Sequence, residues 1–298
     1  MISVVVPSYN RKDCVLALLA DLEQQEGVDF EIIVVDDCSP DDTVDVVRSE
    51  FPNVRLYVNE KNGGPSVTRN RGIKEARGEI IVGFDSDVTV PDKDTLRRVE
   101  EHFKENPKTG GLAFRLFKPD GVSEDVGRWW HPLPVEEFAT RSFETSYFSG
   151  TAYAFRKEVV MRAGLFPEIY YMHYEEVELA YRVLDQGDVI LYTPNLSVLH
   201  HANPVSRRSE IEVYYKPRNQ ILLAFSNFRI WHRLVYLCPR ICFQFGKALF
   251  RGHLQRFLSA VRDGVKLGLE SAQRCKPLSQ QTIRRISEIR AGVFPDHA

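Results

Sequence analysis

The sequence predicts an α/β fold, a mostly parallel central sheet with helices on both faces, followed by a C-terminal helical extension. Three observations predict it. Short runs rich in β-branched residues, "ISVVVP", "FEIIVVDD", "VRLYVN" and "EIIVGFD", alternate with segments of helical periodicity through the first third of the chain. The runs are rich in apolar residues and do not alternate, the pattern of strands buried on both faces. Three of them end in polar clusters, which right-handed crossovers carry to one rim of the sheet, where open α/β sheets bind ligands.

The elements follow in order. After the first run, Val15, Leu18, Leu19 and Leu22 recur at helical spacing. A second helix begins at Pro40-Asp41-Asp42-Thr43, where acidic residues suit the positive end of the helix dipole. The fourth run, Ile80 to Phe84, stops at Asp85-Ser86-Asp87. Two carboxylates so close repel each other unless a cation sits between them. "PSYNR" and Asp36-Asp37 close the first and second runs in the same way. A solvated turn accounts for any one of these clusters, but poorly for three. Residues 110–210 mix strand-like "GGLAFRLF", "SGTAYAF", "VILYTP" and "LSVLHH" with one helix around Glu175 to Leu184. A catalytic domain is therefore expected over residues 1–210 and a basic amphipathic helical region over 211–298. In the latter, Phe250, Leu254, Phe257, Leu258, Val261 and Val265 fall at helical spacing among Lys247, Arg251, Arg262 and Lys266.

Composition narrows the class. At 298 residues, 43% apolar and 27% charged, the chain is long enough for one large or two modest globular domains. Five cysteines, odd in number and without zinc-site spacing, read as free thiols of a reducing compartment. A strand-like run follows Met1 directly, with no basic segment before it. The most apolar tract, Ile230 to Phe250, is broken by Arg233, Arg240 and Lys247, short of the ~18 uninterrupted residues that span a bilayer. A cytoplasmic location is expected, and no nucleic-acid partner. The net charge of −2 hides an asymmetry. Residues 1–210 carry 24 Lys and Arg against 36 Asp and Glu, a balance of −12, and residues 211–298 carry 15 against 5, a balance of +10. The basic region reads either as helices lying peripherally on an anionic membrane surface or as helices packed on the acidic domain or a second subunit.

The motifs carry the chemistry. Two aspartates at i and i+2 on a strand end can both approach a hard divalent cation that keeps waters and bridges phosphate oxygens, although D-x-D alone is a weak signal and more often an acidic turn. Five motifs occur in order: "VVVPSYNR", "VVDDCSPDDT", "NGGPSVTRNRGIKEARGEIIVGFDSD", "MHYEEVELAYRV" and "VLHH". Together they resemble glycosyltransferase family 2, the inverting transferases of the GT-A nucleotide-diphosphosugar transferase fold. "GLFPEIYYMHYEEVELAYRV" and "VLHHANP" are similar to its rhamnosyltransferase-like branch, and the resemblance runs over roughly residues 1–225, including "YYKPRNQILL" at 214–223.

The resemblance implies a nucleotide-diphosphate sugar donor, of UDP or dTDP type, and a saccharide or lipid-linked acceptor. It places Pro7, Tyr9 and Asn10 in a nucleotide-binding loop, Tyr9 packing on base or ribose. Asp37 then faces a pyrimidine ring N–H and Asp36 is structural. Gly64 belongs to a tight loop near the nucleotide, and Gly150 lies beneath the donor sugar. Arg69 meets the diphosphate or the nearby carboxylates, the alternative for it and Arg71 being a solvated helix face. Asp87 is the implied ligand of Mn²⁺ or Mg²⁺, with Asp85 beside it, and His200 is a third contact whose imidazole favours Mn²⁺. The base position falls on Glu176, where the family usually has Asp, so Glu175 stays open as the alternative. Trp129-Trp130-His131 reads equally as a sugar-stacking surface or as buried loop aromatics, and Glu178 with Arg182 as a helix ion pair. Two other enzyme classes lack their signatures: the "GxGxR" of sugar nucleotidyltransferases and the G-x-G-x-x-G of NAD-dependent oxidoreductases are replaced by "PSYNR". A non-catalytic nucleotide-binding subunit draws support only from Glu standing for Asp at the base position.

Overall fold

The computed structural model describes residues 1–201 and 209–294. Ala202, Asn203 and Pro204 of the "VLHHANP" motif lie outside the described residues. Strands β1 (Ile2–Ser8), β2 (Phe30–Asp36), β3 (Arg55–Val58) and β4 (Ile80–Phe84) pair in parallel in the order β3-β2-β1-β4. Helices α1 (Lys12–Glu23), α2 (Thr43–Glu50) and α3 (Pro65–Glu75) make the crossovers. Both faces are covered, as the non-alternating runs require: Val4, Val6, Val34 and Val82 pack with Leu18 and Leu19 of α1. Val5, Ile33, Val35 and Ile81 pack with Ile73 of α3 on the other face. Each such buried aliphatic side chain contributes about 1.5–3 kcal/mol relative to exposure.

The second half of the sheet is mixed. Strand β8 (Ala152–Arg156) lies antiparallel between β4 and β6 (Thr109–Phe117). Its reversal brings its beginning, Gly150-Thr151, to the rim where the parallel strands end, and the Asp85 amide donates to the Thr151 carbonyl at 2.9 Å. "VILYTP" and "LSVLHH" are one strand, β9 (Val189–His200). It runs parallel to β6 with a register shift that skips Pro194, a residue that cannot donate to the ladder. The short strand β5 (Val88–Thr89) pairs antiparallel with the end of β9, Val88 opposite His200, and β7 (Phe143–Glu144) pairs with β9 farther back. Helix α4 (Thr95–Glu105) adds Leu96 and Val99 to the first core layer. Two short helices, α5 (Val135–Phe138) and α6 (Lys157–Arg162), flank β7 and β8.

Helix α7 (Glu175–Asp185) packs against α8 (Ser209–Asn227), α9 (Ile230–Phe250) and α11 (Gln280–Arg290) through Leu184, Leu222, Leu223, Tyr236 and Ile286. The stripe read through Phe250 to Val265 is divided between two helices, because Gly252, with φ of 71°, ends α9 before α10 (Leu254–Arg274) begins. Among the described residues no helix is long and apolar enough to cross a membrane.

Candidate active site

Strand ends determine what reaches the rim. β1 delivers Pro7 to Arg11, β2 delivers Asp36-Asp37, β4 delivers Asp85-Ser86-Asp87, and the reversed β8 delivers Gly150. A cavity of about 540 Å³ opens at this rim. Pro7, Tyr9, Asp37, Gly64, Arg69, Asp85, Asp87, Glu175 and Glu176 all line it, together with Arg11, Trp130 and Lys216. Of the residues nominated from sequence, two stand apart. Asn10 lines a neighbouring pocket with Asp41, Asp42 and His201. His200 is buried directly behind Asp87.

Each aspartate of the D-x-D has its own arginine. Arg69 of α3 donates from Nη2 to Asp85 Oδ1 at 2.7 Å, and Arg11, at the start of α1, bonds Asp87 Oδ2. The cation that the carboxylates demand is thus present twice. Arg11 went unnominated although it closes the quoted "PSYNR"; nothing in the sequence says which arginine the fold brings to the pair. Arg69 is buried, yet burial is outweighed by Asp85 and the neighbouring acids, which hold its guanidinium charged. Its Nη1 stands 3.8 Å from Glu175 Oε1, so one side chain links the D-x-D to the acidic pair of α7.

His200 supplies the test for a metal. Its side chain is fully buried, and Nδ1 lies 2.6 Å from Asp125 Oδ2. A carboxylate can only accept, so Nδ1 carries a proton, and in the neutral ring Nε2 then presents a lone pair. That Nε2 is buried without a hydrogen-bond partner, 3.8 Å from Asp87 Oδ2. Two desolvated acceptors facing each other suit a divalent cation, and a carboxylate behind the imidazole is the usual support of a ligating histidine. Among the described residues no group of three or more His, Cys, Asp or Glu could hold a metal on its own, so remaining ligands must come from a bound molecule or water. His201 turns the other way, its Nε2 2.9 Å from Thr89 Oγ1.

Opposite stands the acidic pair. Glu176 Oε1 accepts the Gly150 amide at 3.3 Å. Glu175 is buried; that burial first, then the charge of Glu176, pushes its carboxyl well above the usual range against the pull of Arg69. Gly150 has no room for a side chain, since a Cβ there lies 2.6 Å from Arg69 Nη2 and 2.7 Å from Glu176 Oε1.

The Asp37 end of the cavity is built on backbone. Asp37 accepts from the amides of Gly63 at 3.0 Å and Gly64 at 2.8 Å and from Asn59 Nδ2 at 2.7 Å. It fixes the glycine loop while lining the cavity. Gly64 has φ of 84°, and a Cβ on it would meet the Tyr171 ring at 2.8 Å. Asp36 binds Ser39 and is structural, while Arg71 is taken up by the Val58 carbonyl, Asn59 and the Tyr57 ring. Glu178 is more than an ion-pair partner. Besides Arg182 at 3.6 Å it accepts from Tyr170 and Asn227 in the interior.

The aromatic triplet divides. Trp129 donates to the Leu133 carbonyl and packs with His131, Phe143 and Tyr192 in the core. His131 is there too, its pKa lowered to about 3 by burial. Trp130 alone reaches the cavity, near-parallel to Tyr147 and His173, with Lys216 Nζ 5.3 Å above its ring.

Helix α8, quoted from the sequence but given no role, fixes the entrance to α7. Tyr171, His173 and Tyr174 have φ of 62°, 65° and 74°, left-handed values that cost non-glycine residues energy. Asn219 holds that strained turn by sharing its amide among the carbonyls of Tyr170 at 3.1 Å, Met172 at 2.7 Å and His173 at 2.8 Å. Gln220 adds a bond to the Tyr174 hydroxyl. Asn219→Ala leaves these buried carbonyls unpaired and is expected to destabilise the protein by about 1–3 kcal/mol. Urea unfolding checks it as a lower midpoint at unchanged slope.

Residues 3–164 match the family described as Glycosyl transferase family 2. An uncharacterised glycosyltransferase of Haemophilus influenzae is 32% identical over 167 residues, 55% of this chain and 55% of its own. The chain spans about half the length of the curated relatives it matches, or less. Among solved structures, Staphylococcus aureus TarS 1–349 in complex with UDP-GlcNAc superposes with a TM-score of 0.63 at 21% identity, covering 98% of this chain and 88% of that one. The mannosyltransferase PcManGT from Pyrobaculum calidifontis, in complex with GDP-Man and Mn²⁺, superposes with a TM-score of 0.58 at 18% identity, covering 98% and 84%. The fold is therefore GT-A, with a C-terminal helical region.

Proposed function

This chain belongs to glycosyltransferase family 2, and from that premise we propose an inverting transferase that moves a sugar from a UDP- or dTDP-type donor to a hydroxyl of a saccharide or lipid-linked acceptor. One observation carries the reading. A single cavity unites the paired aspartates, the glutamate pair across from them and, behind Asp87, a buried imidazole with an unpartnered nitrogen. The UDP-GlcNAc complex of TarS supports a uridine donor, and the GDP-Man and Mn²⁺ complex of PcManGT supports a nucleotide sugar with a divalent cation. The motifs around α7 support the transferase reading too and favour the rhamnosyltransferase-like branch.

In this reading Pro7, Tyr9 and Gly64 receive the nucleoside, and Asp37 meets the base with whatever acceptor capacity the glycine loop leaves it. Asp87 and His200, with Asp85 beside them, would hold Mn²⁺ or Mg²⁺. When bound, that cation supplies Lewis-acid stabilisation of the charge growing on the departing diphosphate. Arg11 and Arg69 keep the two carboxylates neutralised and positioned. Glu176 removes the proton of the acceptor hydroxyl as its oxygen attacks the anomeric carbon opposite the leaving group. Trp130 is the surface on which a sugar ring stacks. The work is done in the cytoplasm.

Calorimetric titration of UDP, dTDP and GDP, with and without Mn²⁺, tests the donor class. Tighter binding of a pyrimidine diphosphate in Mn²⁺ is expected, and a preference for GDP would refute the pyrimidine reading. Gly150→Ala tests the geometry separately. Its methyl group displaces Arg69 and Glu176, so transfer should fall about 100-fold, the scale of a ~1 Å misplacement. Steady-state kinetics alongside an unchanged melting temperature is the check.

A further inference from the structure

Helix α9 is turned inside out for a protein surrounded only by water. Trp231, Leu234, Val235, Cys238, Cys242, Phe245 and Leu249 recur at helical spacing and form one stripe along its outer face. All are exposed, Trp231 to 70%, Val235 to 61% and Leu249 to 51%, and none carries a charge. Its basic residues point inward instead. Arg233 donates to the Phe228 and Phe225 carbonyls, Arg240 lies over the Tyr236 ring, and Lys247 pairs with Glu212 at 2.9 Å. At 21 residues the stripe runs about 30 Å, far beyond a scattered exposed leucine. Phe250, 94% exposed, extends it past its last turn.

We propose that this face seats the protein on an anionic membrane surface and so presents the cavity to an acceptor carried on a lipid. The inference rests on the transferase reading and names the acceptor class it leaves open. Charge selects the occupant. Residues 211–298 carry a balance of +10; Arg229 before α9 and Lys266 on α10 are exposed, while Arg251, Arg256 and Arg262 pair with Glu212, Glu210 and Asp263. Leu258 and Leu269 of α10 are exposed as well. A two-fold interface between copies would bring two such basic regions together, whereas anionic headgroups offset the excess positive charge. Position agrees with chemistry. Lys247 and Arg251 at the end of α9 both bond Glu212, and Glu212 lines the cavity. The helix is not long and apolar enough to cross the bilayer, so it lies in the interface.

The test is co-sedimentation of the full chain with phosphatidylglycerol–phosphatidylcholine vesicles, compared with a triple variant Trp231→Glu, Phe245→Glu, Leu249→Glu. These side chains are exposed and none of them lines the cavity, so calorimetric binding of a nucleoside diphosphate reports that the variant is folded and the donor site intact. The expected result is wild-type binding to anionic vesicles at low salt, about tenfold or more weaker in the variant, with nucleotide affinity unchanged in both. Wild-type protein left in the supernatant, or a variant that sediments as well as wild type, overturns the membrane face while leaving the transferase reading untouched. A wild-type dimer in sedimentation velocity that the variant dissolves, without vesicle binding, assigns the stripe to a second copy and also overturns it. Loss of nucleotide binding in the wild type instead strikes at the transferase reading beneath.

Discussion

Glu176→Gln should cut transfer by about 10²–10⁴-fold, the usual worth of a positioned general base, while nucleotide binding stays near the wild-type value. The amide keeps the shape of the carboxylate and can still accept the Gly150 amide through its oxygen, so the 3.3 Å contact that positions it survives. Only the ability to take a proton is lost. The paired control is Glu175→Gln. Burial and the adjacent Glu176 already favour the protonated form of Glu175, so a neutral amide is a small change there. Single-turnover transfer and calorimetry, measured on both variants, separate the roles. A Glu176→Gln enzyme as fast as wild type, or a collapse confined to Glu175→Gln, would move the base to the other glutamate.

Asp87→Ala should be comparably severe, with a different signature. The aspartate answers to Arg11 on one side and faces the unpartnered Nε2 of His200 at 3.8 Å on the other. Its removal takes away one of two side chains proposed to hold the cation and leaves Arg11 without its carboxylate. Loss of one strong electrostatic contact to a leaving group is worth about 10²–10³-fold in rate. The readout independent of turnover is the Mn²⁺ dependence of nucleoside diphosphate affinity, expected to vanish in the variant. Undiminished Mn²⁺ dependence would remove Asp87 from the cation site. Arg11→Ala provides a contrast, because it frees the carboxylate rather than deleting it and should retain a response to Mn²⁺.

Much of the sheet was legible because burial on both faces writes itself into local sequence. Ile2–Val6 and Ile80–Phe84 are β-branched or aromatic apart from Ser3 and Gly83, and each became a central strand. The reversal of β8 was not legible. "SGTAYAF" looks alike whichever way it runs, and direction is fixed only by its partners β4 and β6. Nor could local pattern part Trp129 from Trp130: adjacent residues of one type, separated by a backbone turn that sends the first into the core and the second to the cavity.

By itself the sequence determined the periodicity of the first strands and helices and the family to which the chain belongs, since both reside in residues close along the chain. It also determined which polar groups end the parallel strands, because a crossover of fixed hand leaves them no other rim. Tertiary structure alone decided which arginine meets which aspartate, that Asn219 braces the turn before Glu175, and that α9 turns its apolar side outward. Such contacts join positions tens of residues apart, and their energies depend on distance and desolvation, which exist only once the chain has folded.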